Sequence, residues 1–161
     1  MPNWCSNTLM VTHADTAMID RVETAVKNNR LFEEFVPIGE WDYGTAVDAW
    51  GTKWDISDAD VIDRNENTIT VSYMTAWSPP IGVYDALTAQ GFEVHAEYFE
   101  PGMCFVGQYI NGIDEDYSFE DATSPDEIPP EIPEELIENW GIRDMFEDFD
   151  EEVDDWTSDA D

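Results

Sequence analysis

Glu93, His95 and Glu97 stand two residues apart in a segment whose intervening residues, Phe92, Val94, Ala96 and Tyr98, are apolar or aromatic. In a strand this spacing places the three polar side chains on one face, where an imidazole and two carboxylates are a ligand set for a divalent metal. A further ligand, such as His13, has no position fixed by the sequence. The plainer reading is a solvated strand face. Asp114-Glu115-Asp116, followed by Ser118 and Glu120, spaces oxygens somewhat like a calcium loop. It lacks the glycine at the sixth position and the glutamate at the twelfth, so hairpin polarity accounts for it better. Nucleophilic catalysis has little to build on. There is no Gly-x-Ser-x-Gly, and Cys5 and Cys104 lie in strand-like contexts without an adjacent histidine.

A second constellation is aromatic. Trp50-Gly51-Thr52-Lys53-Trp54-Asp55 is answered by Ala76-Trp77-Ser78-Pro79-Pro80, with two strand-like runs between them. Three of the seven tryptophans and one of two lysines fall here. A buried indole needs a partner for its N–H, so such a cluster pins a junction between elements. The preferred reading is an aromatic corner holding loop to sheet; the other is an aromatic binding patch formed by Trp50, Trp54 and Trp77.

The elements that must position these residues follow in order. Residues 8–12 are β-prone, and Asp15 is suited to cap a helix carrying Met18, Ile19, Val22, Ala25 and Val26 on one stripe, ended by Asn28-Asn29. Leu31, Phe32, Phe35 and Val36 pack beneath it, and residues 37–52 read as a long loop. A strand over 53–63, a turn at 64–67 and a strand over 68–73 come next, the last alternating apolar with hydroxyl residues. Ser78-Pro79-Pro80 reads as a helix start with Ser78 as cap, Ile81, Tyr84 and Leu87 as the buried face and Gly91 as the stop. Strands over 92–98, 103–110 and 113–119 follow, the last two joined by Asn111-Gly112. The order β-α-β-β-α-β with an extra hairpin is the split βαβ pattern of an α+β, ferredoxin-like sandwich.

Charge dominates the composition. The 161 residues carry 38 acids against 6 bases, a formal net charge of −32. Such self-repulsion opposes compaction, and it argues against direct binding to nucleic acid or an anionic membrane, both of which require Lys and Arg. Beyond about residue 120 the composition shifts: 121–161 holds seventeen acids and one base, Arg143. Pro125, Pro129, Pro130 and Pro133 make a semi-rigid linker, and Glu134 to Phe149 reads as an acidic amphipathic helix, or two short ones broken at Gly141, before a disordered end. The domain division is therefore 1–120 and 121–161. Two cysteines are too few for a disulfide framework, and neither a signal peptide nor a membrane-spanning apolar run is present. The expected setting is the host cytoplasm with both thiols reduced.

Several motifs in order carry a resemblance. Met1-Pro2-Asn3-Trp4-Cys5-Ser6-Asn7, the Trp50–Asp55 run, Thr75-Ala76-Trp77-Ser78-Pro79-Pro80, Glu100-Pro101-Gly102 and Phe105 with Gly107 resemble the YubB-type ferredoxin-like proteins of phages and plasmids. The resemblance covers about residues 1–120, implies that fold and a mobile-element origin, and supplies no catalytic residues. The acidic extension lies outside it.

These readings converge on a non-enzymatic protein without a cofactor. Its carboxylates would imitate nucleic-acid charge and inhibit a basic, nucleic-acid-handling host defence enzyme. The expected contact residues are Asp55, Asp58, Asp60 and Asp63 in the body, then Glu134, Glu135, Leu136, Glu138, Trp140, Asp144, Phe146, Glu147, Asp148, Phe149, Asp150, Glu151, Glu152, Asp154 and Asp155 in the arm. Leu136, Trp140, Phe146 and Phe149 would be apolar anchors, unless they pack into the protein itself. The alternatives are a metal-binding domain or metal-dependent enzyme centred on Glu93, His95 and Glu97, or an interaction scaffold whose acidity serves solubility or salt adaptation.

Overall fold

A computed structural model describes residues 3–146. These residues fall into two compact units, divided after Asp116.

The first unit begins with β1 (Trp4–Thr12), which extends the expected strand back to the first tryptophan. Asp15 accepts from the Ala17 N–H at 3.0 Å and caps α1 (Thr16–Lys27). Asn29, at φ 56°, ends it, with Asn29 N donating to Val26 O and Arg30 N to Ala25 O, a Schellman closure. Two elements follow that the sequence reading treated as packing segment and loop. They are α2 (Leu31–Phe35) and α3 (Tyr43–Trp50), the latter capped by Asp42 and stopped by Gly51 at φ 88°. Their apolar positions are too few for periodicity to reveal them: α3 buries only Ala46 and Trp50.

The hairpin of β2 (Ser57–Arg64) and β3 (Thr68–Ala76) comes next. Strand β2 starts four residues later than expected, because residues 53–55 are held in a loop. The helix α4 (Ile81–Ala89) has Pro80 at its cap position and no side-chain cap. Ser78 is therefore not the cap; its hydroxyl donates to Gly51 O at 2.6 Å. Gly91, at φ 96°, closes α4 as expected. Strands β4 (Glu93–Glu100), β5 (Phe105–Ile110) and β6 (Ile113–Ser118) complete the sheet, with Asn111 and Gly112 both at positive φ in the last hairpin turn.

The sheet order is β2-β3-β1-β4-β5-β6. Its first four strands, with α1 and α4 crossing between them, are the antiparallel split βαβ arrangement, and β5 and β6 extend it at the β4 edge. The fold is ferredoxin-like. Leu9, Val11, Ile69, Val71, Tyr73, Val94 and Ala96 point toward the helices, where they meet Ile19, Val22, Val26, Val83, Tyr84 and Leu87. The other face carries Thr8, Met10, Thr12, Thr70, Ser72, Glu93, His95 and Glu97, half-buried or exposed.

In the second unit, a 3-10 turn at Pro125–Glu127 precedes α5 (Glu134–Asn139). Gly141 at φ 61° separates α5 from a helical turn over 142–146, so of the two arrangements expected the broken one is found. Among the described residues no helix is long and apolar enough to cross a membrane.

Candidate functional site

The anticipated contact residues divide sharply. Asp55 does not belong to an exposed acidic loop. Its carboxylate accepts from the backbone N–H groups of Phe32 (3.0 Å), Glu33 (3.0 Å) and Ile56 (2.8 Å), so it caps α2. Burial raises its pKa above the ordinary value, opposed by these hydrogen bonds. Asp58, Asp60 and Asp63 are exposed on β2, an outer strand of the sheet. In the arm, Leu136 and Phe146 are buried, with Phe146 edge-on to Phe119 at 6.4 Å, and Trp140 is half-buried. Leu136 and Phe146 are thus part of the protein's own interior and not anchors for a partner. Their hydrophobicity is satisfied at home. Glu134 is held by Arg143 through both carboxylate oxygens, whereas Glu135, Glu138 and Asp144 are exposed. Glu147, Asp148, Phe149, Asp150, Glu151, Glu152, Asp154 and Asp155 lie outside the described residues.

Glu93, His95 and Glu97 do share the open sheet face, yet among the described residues no group of three His, Cys, Asp or Glu side chains is placed to hold a metal. The register supplies the reason. His95 is flanked by Met10 on β1 and Ile110 on β5, and Glu97 by Thr8 and Gln108. Residues two apart on a strand are separated by about 7 Å, so a site there needs a cross-strand ligand, and the neighbours supply none.

The tryptophan motifs meet as the sequence suggested, through hydroxyl groups. The Thr52 hydroxyl donates to Ala76 O (2.8 Å), Ser78 to Gly51 O (2.6 Å) and Thr75 to Ser78 O (2.7 Å). Asn7 ties this knot to the core. Its amide donates to Thr75 Oγ1 (2.9 Å) and Cys5 O (3.1 Å), while its Oδ1 accepts from Tyr84, whose hydroxyl pairs with that of Tyr73 at 2.7 Å. Trp50 is buried and donates its indole N–H to Val36 O. Trp54 is half-buried, 6.2 Å from Trp4, with the Lys53 ammonium 4.4 Å from its ring centre.

Trp77 is different. It is 47% exposed and sits at φ 71°, a conformation that L side chains seldom adopt. Its ring borders a cleft of about 340 Å³. Gly51, Ser78 and Pro79 line it from the chain around Trp77, and Tyr98, Phe105, Asp114 and Asp116 line it from β4, β5 and β6. The Tyr98 hydroxyl donates to Asp114 Oδ1 at 2.5 Å. Burial raises the pKa of Asp114, opposed by that hydrogen bond, with Asp85 adding to the rise. Gly107 lies directly under Tyr98: an added Cβ would stand 2.4 Å from its Cζ. Glu100, almost fully buried, turns the chain by accepting from Gly102 N and Met103 N, both at 2.7 Å. The glycine at 107 thus makes room for the Tyr98 ring, and Glu100 holds the turn between β4 and β5. Sequence reading did not group Tyr98, Phe105, Asp114 and Asp116 with Trp77, because only strand pairing and the two connecting turns bring them together. The acidic run 114–116 was the one available signal.

Comparison with known proteins agrees with this architecture. Residues 49–129, half of the chain, match the model of the family described as the ferredoxin-like domain in Api92-like protein, and the chain belongs to that family. The protein is also similar to a solved structure, the protein api92 from Yersinia pseudotuberculosis, with a TM-score of 0.38 and 16% identity. That similarity covers 48% of this chain and 29% of the other. No curated protein matches.

Proposed function

We propose that this is a non-enzymatic, strongly acidic binding protein that occupies the nucleic-acid site of a basic, nucleic-acid-handling partner. The observation that carries the reading is how little of the charge is compensated. Five of the six bases are engaged locally: Arg21 is paired with Glu34, Arg64 with Asp20 and Glu23, Lys27 with Glu23 and Arg143 with Glu134, while Lys53 lies over Trp54. Most of the few cations are thus consumed in local contacts, against 38 acids in the sequence. Such a field steers a positive partner from a distance and opposes phosphate. The exposed carboxylates that take part are Asp58, Asp60 and Asp63 on β2 and Glu135, Glu138 and Asp144 in the second unit. The resemblance of the motif set to the YubB-type proteins of phages and plasmids points to a mobile-element origin, and hence to a host defence enzyme in the cytoplasm as partner.

The test is retention of nucleic-acid-binding proteins from bacterial lysate on the immobilised full chain, at low and high salt, with and without competing DNA. A nucleic-acid-binding protein released by both salt and DNA is the expected result. Replacing Asp58, Asp60, Asp63, Glu135, Glu138 and Asp144 with their amides should weaken its binding about tenfold or more at low salt. Retention that ignores salt, DNA and these substitutions would refute the reading and leave the charge to solubility.

A further inference from the structure

The cleft beside Trp77 has a selectivity that a field of carboxylates lacks. Carboxylates alone attract any counter-ion. A carboxylate facing an exposed indole discriminates, because the ring face attracts cations and a planar guanidinium stacks on it better than a compact, strongly hydrated ammonium. Trp77 is exposed and firmly placed. Its backbone N–H donates to Asn3 O at 2.8 Å, and the next residue, Ser78, is fixed to Gly51 by its hydroxyl. In the same cleft, the Tyr98 hydroxyl at 2.5 Å orients the Asp114 carboxylate, and Asp116 is a further lining residue. A volume of about 340 Å³ admits one long side chain with water around it.

We propose that this cleft receives an arginine side chain of the basic partner, its guanidinium stacked on the Trp77 indole and paired with the Asp114 carboxylate. This rests on the reading of the protein as a binder of basic partners and names the residue type that the partner must present. Arginine-rich surfaces are what nucleic-acid-binding proteins offer, so the cleft converts diffuse attraction into a defined contact.

The experiment is a titration of the ¹⁵N-labelled full chain with acetyl-Gly-Arg-Gly-amide, its lysine counterpart and its citrulline counterpart. The arginine peptide should shift the Trp77 indole N–H and the amides of 114 and 116, and bind about threefold or more tighter than the lysine peptide, with no shift from citrulline. Trp77→Ala and Asp114→Asn should each weaken it about fivefold or more, Trp77→Phe should restore most of the binding, and Glu66→Gln, in the exposed turn between β2 and β3, should leave it unchanged. Shifts spread evenly over the acidic surface, equal for arginine and lysine and indifferent to Trp77→Ala, would overturn the inference. The two readings fail separately. If a DNA-displaceable partner binds Trp77→Ala as well as the natural chain, the cleft assignment falls and the acidic reading stands. If the peptide binds in the cleft but no such partner is retained, the broader reading falls and the arginine site remains.

Discussion

Gly107 and Tyr98 show how single residues shape this protein. The Tyr98 ring occupies the space where any larger residue at 107 would place its Cβ. Gly107→Ala should therefore displace that ring and cost about 1–3 kcal/mol in urea unfolding, with a changed environment for Phe105, whose ring lies 6.1 Å away. The two cysteines differ as sharply. Cys5 is fully buried and its thiol is pushed up to about 12, chiefly by that burial, whereas Cys104 is half-buried in a turn. A thiol reagent at pH 8 should modify one thiol quickly in the folded protein, and Cys104→Ser should abolish that phase. Asp55 and Asp114 both have raised pKa values, with burial the first cause. For a carboxyl raised in the folded state, the native form binds the proton more tightly, so its contribution is fully present below the ordinary value of 3.8 and fades as pH rises through the folded value. Stability should accordingly fall at these sites as pH rises from the ordinary value of 3.8 through the raised folded values, and Asp114→Asn should flatten part of that slope in a series of urea titrations.

At the scale of elements, the outer strands carry their own protection. Strand β2 has Asp58, Asp60 and Asp63 exposed beside an exposed Ile62, with two register breaks against β3. Strand β6, at the other end, carries Asp114, Glu115 and Asp116. Charges and bulges on an outer strand discourage pairing with another chain. Asp60→Val with Asp63→Val should produce concentration-dependent association in sedimentation velocity, because the remaining strand would be apolar and β-prone. This use of acids is structural, and it accompanies the role proposed above for them in attracting a basic partner. The helices followed legible rules where they were long. Asp15, the apolar stripe and Asn28-Asn29 marked α1 correctly, and Gly91 marked the end of α4. The short helix α3 stayed hidden within a region read as loop, since eight residues with two buried positions present no periodicity. Ser78 was misread for a related reason: its hydroxyl serves the neighbouring motif at Gly51, a choice that depends on where the chain returns.

At the scale of the molecule, a net charge of −32 opposes folding through self-repulsion that salt screens. Raising NaCl from 0.05 to about 0.5 M should raise the thermal midpoint by several degrees, measurable by calorimetry. The sequence by itself determined the charge, the strand and helix periodicities and therefore the ferredoxin-like order of elements, because alternation and 3.6-residue spacing are local properties of the chain. It also flagged the Trp50–Asp55 and Trp77–Pro80 runs as partners. Tertiary structure alone decided which of those tryptophans faces outward. Trp50 found an acceptor in Val36 and an apolar cavity, while Trp77, held by backbone contacts to Asn3, was left at the rim of a cleft completed by β4, β5 and β6. It likewise turned Asp55, Leu136 and Phe146 from expected surface contacts into internal ones. Whether a carboxylate meets solvent or a helix N-terminus depends on residues far away in the sequence, and no local pattern records that.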